Sequence, residues 1–449
     1  MSDPTVVVGG DAAGMSAASK LAREAPDREV VVFEKGEYVS YAACGMPYYV
    51  KGDVQEFEDL LQVSPETFRE ERGIDLRLHH EVTAIDPDAR TVTVAGPEGA
   101  FDQSYSDLLV ATGAHAVEPP FERLDLDGVY TVHDLDDARA IRADVEADAP
   151  DAVAVVGGGY VGIEMAEALA ARGATVHLFE MLEHVLQPFG TEAAEVVEDH
   201  LREQGVSLHL DTPVDGFAGD DRVTGVLTPE GTVDVGLAVV GVGVAPTTDL
   251  AAEAGIELGE TGAVAVDAYG RTNRDGVYAA GDCAEARHVV TGDSDYVPLA
   301  LTANRAGRAI GQTLAGDPTP VGDIAGTAAV KAFDLEVART GVLDADRARE
   351  AGFDPVSVTI TAGSRAHYYP GAEELQVTLV ADRDTERVLG ASAVGRDAVP
   401  KRIDTVAAVL HAEMGVHDLE YLDLSYAPPF SPVWDPVLTA AKVLGGKLD

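Results

Sequence analysis

The chain has 449 residues, enough for two to four domains and too many for one core. Its 46% hydrophobic content and 46 glycines fit a globular α/β protein, and two cysteines exclude a disulfide scaffold or a thiolate-held zinc or iron–sulfur centre. Acids outnumber bases 78 to 32, a net charge of -46 that repels nucleic acid and anionic membranes and reads as a halophilic surface adapted to molar salt.

The N-terminal run "TVVVGGDAAGMSAASKLARE" predicts strand, tight turn and helix. No basic signal region precedes it, and no apolar run reaches the roughly 18 residues of a membrane span, so a cytoplasmic protein is expected. Gly9 and Gly14 occupy the outer positions of a dinucleotide-binding turn, with Asp11 at the middle one. Glu34 ends the next strand-like run, "EVVVFE", where a carboxylate can bind a ribose hydroxyl. "SYAACGMPYY" (40–49) then carries Cys44. "SDLLVATGA" places Ala111, Thr112 and Gly113 at a strand end, where small residues let the chain pass close to a cofactor.

The segment "DAVAVVGGGYVGIEMAEALAARG" repeats the grammar of the first unit, an internal duplication. Gly157, Gly159 and Gly162 complete G-x-G-x-x-G, and Glu180 ends the following strand-like run. No Lys or Arg lies between Arg172 and Arg202, so a 2′-phosphate would meet a carboxylate and no cation; NADH is favoured over NADPH. "TNRDGVYAAGDCAEA" contains Gly281 and Asp282, followed by helix-like "PLALTANRAGRAIGQTL". Such an Asp can hold a ribityl hydroxyl, and the helix N-terminus favours negative charge on a reduced flavin. Cys283 reads as buried packing. His115, His133 and His184 have no metal-ligand spacing. From about residue 325, "LEVARTGV", "VSVTITAG", "LQVTLVAD" and "RVLGASAVG" alternate like antiparallel strands before helix-like "IDTVAAVLHAEMG".

In this order the segments resemble the FAD-dependent pyridine nucleotide–disulfide oxidoreductases over nearly the whole chain. The resemblance implies an α/β protein with two Rossmann-like nucleotide-binding domains and a C-terminal α+β dimerisation domain. FAD would be bound by residues 1–116 and 247–322, around an NAD(P)H-binding insertion at 117–246, with 323–449 forming a homodimer. For FAD it implies Gly9, Gly10, Asp11, Ala12, Ala13, Gly14, Glu34, Lys35, Ser40, Val82, Ala111, Thr112, Gly113, Gly281, Asp282 and Ala300. For NADH or NADPH it implies Gly157, Gly159, Tyr160, Val161, Gly162, Glu180 and Gly243.

Members with a redox disulfide carry two nearby cysteines; here Cys44 stands alone, with Val39 and Tyr49 five residues to either side. "SYAPPFSPVWDP" replaces their C-terminal His–Glu pair. The chain thus resembles the single-cysteine branch of coenzyme A-disulfide reductases, NADH oxidases, NADH peroxidases and persulfide reductases. Ala12 stands where oxidase and peroxidase members carry a His. "S-x-x-x-C-G-x-P-Y", Ser40 to Tyr48, is similar to the CoA-disulfide reductase pattern, with Ala43 in place of an Asn.

The resemblance implies reduction of CoA disulfide by NAD(P)H, with Cys44 alternating between thiolate and a mixed disulfide with CoA. Tyr426 and Tyr368 or Tyr369, from the partner subunit, would assist the departing sulfur. A helix beginning at Cys44 is expected to lower the thiol pKa. Ser16, Lys20, Arg23, Ser40, Arg72, Asn304 and Trp434 are the candidate contacts to polyanionic CoA. The alternatives are an NADH oxidase, a polysulfide or persulfide reductase, and a flavin- and NADH-binding redox sensor. No rhodanese-like domain is expected after Asp449.

Overall fold

The computed structural model describes residues 3–448. Its N-terminal part is built from short strands, most of them rich in valine. They are β1 (Thr5–Val8), β2 (Val30–Phe33), β3 (Asp75–Arg77), β4 (Asp107–Val110), β5 (Val129–Thr131), β6 (Ala152–Val156), β7 (Thr175–Phe179), β8 (Ser207–His209) and β9 (Leu237–Val240). A tenth strand, β10 (Val277–Ala279), follows. Between them run helices α1 (Ala12–Glu24), α2 (Met46–Lys51), α3 (Leu135–Asp148), α4 (Tyr160–Ala171) and α5 (Thr191–Glu203), and α6 (Ala300–Leu314) follows β10.

These strands form two parallel sheets, in the orders β10-β4-β1-β2-β3 and β8-β7-β6-β9-β5. β1 lies centrally in the first sheet, with Val6 opposite Val31 on one side and Leu108 on the other. β6 has the same place in the second, with Val155 opposite Leu178 and Val239. Both are buried on each face, which is why they read as unbroken apolar runs. The second sheet is inserted into the first: Ala114–Ala116 leads out toward it, Val244–Pro246 leads back, and the two segments pair antiparallel.

The C-terminal part is an antiparallel sheet, β11 (Ala328–Ala332), β12 (Leu335–Gly341), β13 (Pro355–Gly363), β14 (Glu374–Asp382) and β15 (Val388–Gly395), in the order β11-β12-β15-β14-β13. Helices α7 (Val399–His411) and α8 (Pro436–Leu448) cover it through Val406, Leu410, Val437 and Leu444, all buried. The α/β plus α+β class is the one the sequence predicts. No helix among the described residues is long and apolar enough to cross a membrane.

One hydrophobic cluster crosses all three parts, joining Met46 and Tyr49 of α2, Leu169 of α4, and Val330 and Val337 of the C-terminal sheet. Glu167 of α4 lies in the same seam, buried. Its Oε1 accepts from Lys331 Nζ at 2.6 Å and lies 3.0 Å from Lys51 Nζ, while Oε2 accepts from the Phe333 N–H at 2.8 Å. Two of the chain's seven lysines are spent on this one carboxylate. A buried charge so fully partnered fixes the three parts against one another, since losing a partner would strand it.

Candidate active site

The two turns that open α1 and α4 are built alike. Gly9 and Gly157 have φ of +108° and +107°, where an L side chain is strained, and a Cβ on either would overlap a neighbouring strand's carbonyl oxygen, Ala111 or Gly241. Gly14 and Gly162 let each helix pass over the carbonyl of its own first glycine. Glu34 Oε2 accepts from the Gly10 N–H at 2.7 Å, and Glu180 Oε2 from the Gly158 N–H at 2.6 Å. Their Oε1 atoms accept from Gly36 and Leu182. Each acid therefore stands at the mouth of its turn.

The residues fit two dinucleotides. At Gly113, Gly159 and Gly243 a Cβ would meet nothing within 4 Å, so open space faces the backbone at these turns. Asp282 is buried enough that its pKa rises to about 6, and no protein donor hydrogen-bonds its carboxylate among the described residues; a cofactor hydroxyl would supply one. Tyr160, Val161 and Ala300 lie in the first turns of α4 and α6. Val82 is buried in the strand Glu81–Asp86, and Lys35 is exposed beside Glu34.

Cys44 belongs to a loop pinned on both sides. Ser40 has φ +50°; its N–H donates to the Gly10 carbonyl at 3.1 Å and its own carbonyl accepts from Gln62 at 3.1 Å. Ala42 donates to Leu60 at 2.8 Å. A 3-10 turn, Ala43–Gly45, then leads into α2. The thiol is exposed, yet its surroundings oppose ionisation. Partial desolvation raises its pKa, and the carboxylates of Glu164, Asp282 and Asp11 raise it further against one backbone N–H. This corrects the expected helix-dipole lowering: Cys44 lies in the 3-10 turn ahead of a helix of only six residues, and the nearby side-chain charges are acids.

Two residues of this neighbourhood carry no assignment from the sequence. The Tyr48 hydroxyl, one turn beyond Cys44, donates to Glu164 Oε1 at 2.7 Å, and burial with this carboxylate holds the phenol well above its ordinary pKa. Glu164 comes from α4, so the pair links the thiol segment to the second nucleotide unit.

Beside the loop opens a cavity of ≈ 330 Å³. Ser16, Lys20, Arg23, Ser40, Arg72 and Asn304 all line it, six of the seven residues proposed for CoA. Ser19 and Arg308 join them; Arg308 lies one turn beyond Asn304 on α6, a spacing visible in the sequence. Ser16 Oγ donates to Asn304 Oδ1 at 2.6 Å, and Arg72 Nη1 to Ser19 Oγ at 2.8 Å. Four cations thus line one concavity of a chain with net charge -46, two of them, Lys20 and Arg23, sharing Glu24 as a partner at 2.7 and 3.5 Å. Ala12 lines it too, and Ser40 connects it to the thiol loop.

Trp434 is not part of that cavity; it is 48% exposed in the C-terminal part, with Lys442 Nζ 5.3 Å from its ring centroid. Tyr368 and Tyr426 are exposed, and their hydroxyls interact, which raises the Tyr426 pKa. Tyr369 packs its N–H on the Ala366 carbonyl. Within one chain none of the three hydroxyls hydrogen-bonds Cys44 among the described residues. They border an exposed apolar surface that includes Phe430, Val433 and Trp434. Cys283 is buried, its thiol directed at the Val110 and Ala280 carbonyls. His115 contacts Thr247, His184 contacts Glu198, and among the described residues no three potential ligands gather for a metal.

Residues 3–307 match the pyridine nucleotide-disulphide oxidoreductase family, and residues 327–436 match its dimerisation domain. An NAD(P)H coenzyme A polysulfide/persulfide reductase of Pyrococcus horikoshii is 41% identical over 99% of this chain and 99% of its own. A coenzyme A disulfide reductase of Staphylococcus haemolyticus is 31% identical over 95% and 96%. The crystal structure of reduced Bacillus anthracis CoADR-RHD superposes with a TM-score of 0.96 at 33% identity, covering 100% of this chain and 81% of that one.

Proposed function

This chain belongs to the pyridine nucleotide-disulphide oxidoreductase family and is an FAD-dependent NAD(P)H oxidoreductase, from which we propose that it reduces the disulfide of coenzyme A through Cys44. The observation that carries this reading is the four-cation cavity beside the Cys44 loop. A surface this acidic disfavours a polyanion, and Lys20, Arg23, Arg72 and Arg308 make this cavity an approach suited to CoA phosphates. Arg23, Arg72 and Arg308 are exposed and each contributes at most about 1 kcal/mol, so steering and orientation come from the set, with the half-buried Lys20, and not from one side chain.

Bound FAD supplies a two-electron relay between the nicotinamide and sulfur. Cys44 thiolate attacks one sulfur of CoA disulfide, forming a Cys44–CoA mixed disulfide and releasing one CoA thiolate. Tyr426 of the partner subunit, with the partner subunit's Tyr368, protonates or steadies that leaving sulfur. Two-electron reduction of the mixed disulfide releases the second CoA thiolate and restores Cys44. The balance is NADH + H⁺ + CoA disulfide giving NAD⁺ and two CoA thiols. Glu180, placed at the mouth of its turn with no Lys or Arg from 173 to 201, favours NADH. The exposed aromatic surface around Tyr426 and Trp434 suits the homodimer contact that would bring these tyrosines to the partner's thiol.

A second reading, reduction of a CoA persulfide or polysulfide, is favoured by the 41% identity to the enzyme of that name. Both readings use the same thiol and cavity. Cys44→Ser is expected to lose NADH-dependent reduction of CoA disulfide by at least about 10³-fold while keeping its flavin. Wild-type turnover of CoA disulfide by that variant would refute the mechanism. Intact-mass spectrometry of the native protein separates the readings: a CoA adduct on Cys44 supports the first and a persulfide supports the second.

A further inference from the structure

The two nucleotide turns differ at their middle position. In the second unit this is Gly159, whose missing side chain leaves open space; in such turns that space lets the backbone approach a pyrophosphate. In the first unit the position holds Asp11. Its side chain makes no capping hydrogen bond to α1, although Asp is a favoured cap. The turn instead brings it among acids: Glu34 Oε2 is bonded to the N–H of the adjacent Gly10 at 2.7 Å, and Gly281, next to Asp282, lies against Ala13; the nearby backbone of Tyr41 and Ala12 gives partial relief. Cys44 lies within electrostatic reach. The main groups acting on Asp11 are Glu34, Asp282 and the backbone of Tyr41 and Ala12, none of them a cation; the Tyr41 phenol, itself held protonated by burial and by Asp11, also lies within reach.

A phosphate arriving at this turn therefore meets a carboxyl already crowded by carboxyls. Two like charges brought together in such a partly desolvated site oppose each other far more than they would in water. We propose that Asp11 accommodates FAD as a neutral carboxylic acid, so that FAD binding takes up one proton. The step is Asp11–COO⁻ + H⁺ + FAD giving Asp11–COOH with FAD bound; one O–H bond forms and no electrons move. It replaces an anion–anion contact with an O–H donor beside a phosphate.

The protein alone is poised for this. Burial, then Glu34, already raises the Asp11 pKa to about 6. Below about pH 6 Asp11 is protonated in both free and bound protein, and binding does not depend on it. Above that the free protein loses the proton first, so FAD affinity falls by up to about tenfold per pH unit until the complex itself titrates. Asp282, also near 6, works in the opposite sense, because a cofactor hydroxyl stabilises its anion. Comparing Asp11→Asn with wild type isolates the Asp11 contribution.

The test is equilibrium release of FAD from diluted holoenzyme, read by flavin fluorescence from about pH 6 to about 8.5 at constant salt. The wild-type dissociation constant is expected to climb with pH more steeply than that of Asp11→Asn, the difference approaching tenfold per unit. Parallel profiles would overturn the proposal. Infrared difference spectra of wild-type against Asp11→Asn holoenzyme at neutral pH give a second reading without relying on affinity. A protonated-carboxyl band lost in the variant is expected; a carboxylate band in its place overturns the inference. Native protein that binds no FAD would defeat the premise separately.

Discussion

The two nucleotide units of this chain share a plan and part ways at two positions. What they share is demanded by protein atoms: the first glycine clears a neighbouring strand, the third clears the first, and a strand-end acid hydrogen-bonds the turn. What differs faces outward. The middle position is Asp11 in one unit and Gly159 in the other. Two residues past the third glycine, α1 presents Ser16 to the cationic cavity and α4 presents Glu164 to Tyr48. The shared positions make the turn; the divergent ones take α1 to the cavity beside the thiol loop and α4 to Tyr48 in the thiol segment.

The largest effect expected from this division is at a shared position. Gly157→Ala places a methyl against the Gly241 carbonyl at φ +107° and should cost about 3 kcal/mol or more. Denaturant unfolding at fixed salt measures it. An unfolding free energy equal to wild type would mean that the outer glycine answers to the ligand and not to the fold.

Gly159→Ala is the contrasting case. Its Cβ enters open space, so the unfolding free energy should stay within about 0.5 kcal/mol. The same methyl occupies the approach of the pyrophosphate, and NADH affinity should fall about tenfold, near 1.4 kcal/mol. Titration of NADH against the holoenzyme reads the second quantity. Stability loss with unchanged NADH binding would reverse the roles assigned to the two glycines.

Much of this arrangement was legible from local pattern. The glycine spacing, the terminal acids and the alternating C-terminal strands are short-range signals, and the cavity residues followed from the family resemblance. The charges around the thiol were not legible. Glu164 meets Tyr48 across 116 residues, and Lys331 meets Glu167 across 164, contacts that no periodicity encodes. For the same reason the Cys44 pKa was expected in the wrong direction: the sequence offers a nearby helix, while the opposing carboxylates arrive from α4 and from the turns at 11 and 282. Tyr368 and Tyr426 are exposed and do not bond Cys44 within one chain among the described residues, so the part proposed for the tyrosines calls for a second subunit.

The smallest effect tests the position where α4 departs from α1. After desolvation, Glu164 is the strongest influence raising the Cys44 pKa. Thiols titrate in the alkaline range, where this carboxylate is ionised despite its own upward shift. Glu164→Gln keeps an acceptor for Tyr48 and removes the charge, so Cys44 should ionise at lower pH, by less than about one unit. The rate of Cys44 alkylation against pH reports it; Cys283 is buried and does not compete. Tyr48→Phe removes the hydrogen bond but leaves the charge, so its alkylation curve should not shift toward acid. If both variants move the curve equally, the hydrogen bond and not the carboxylate charge controls the thiol, and Glu164 acts only by holding Tyr48 in place.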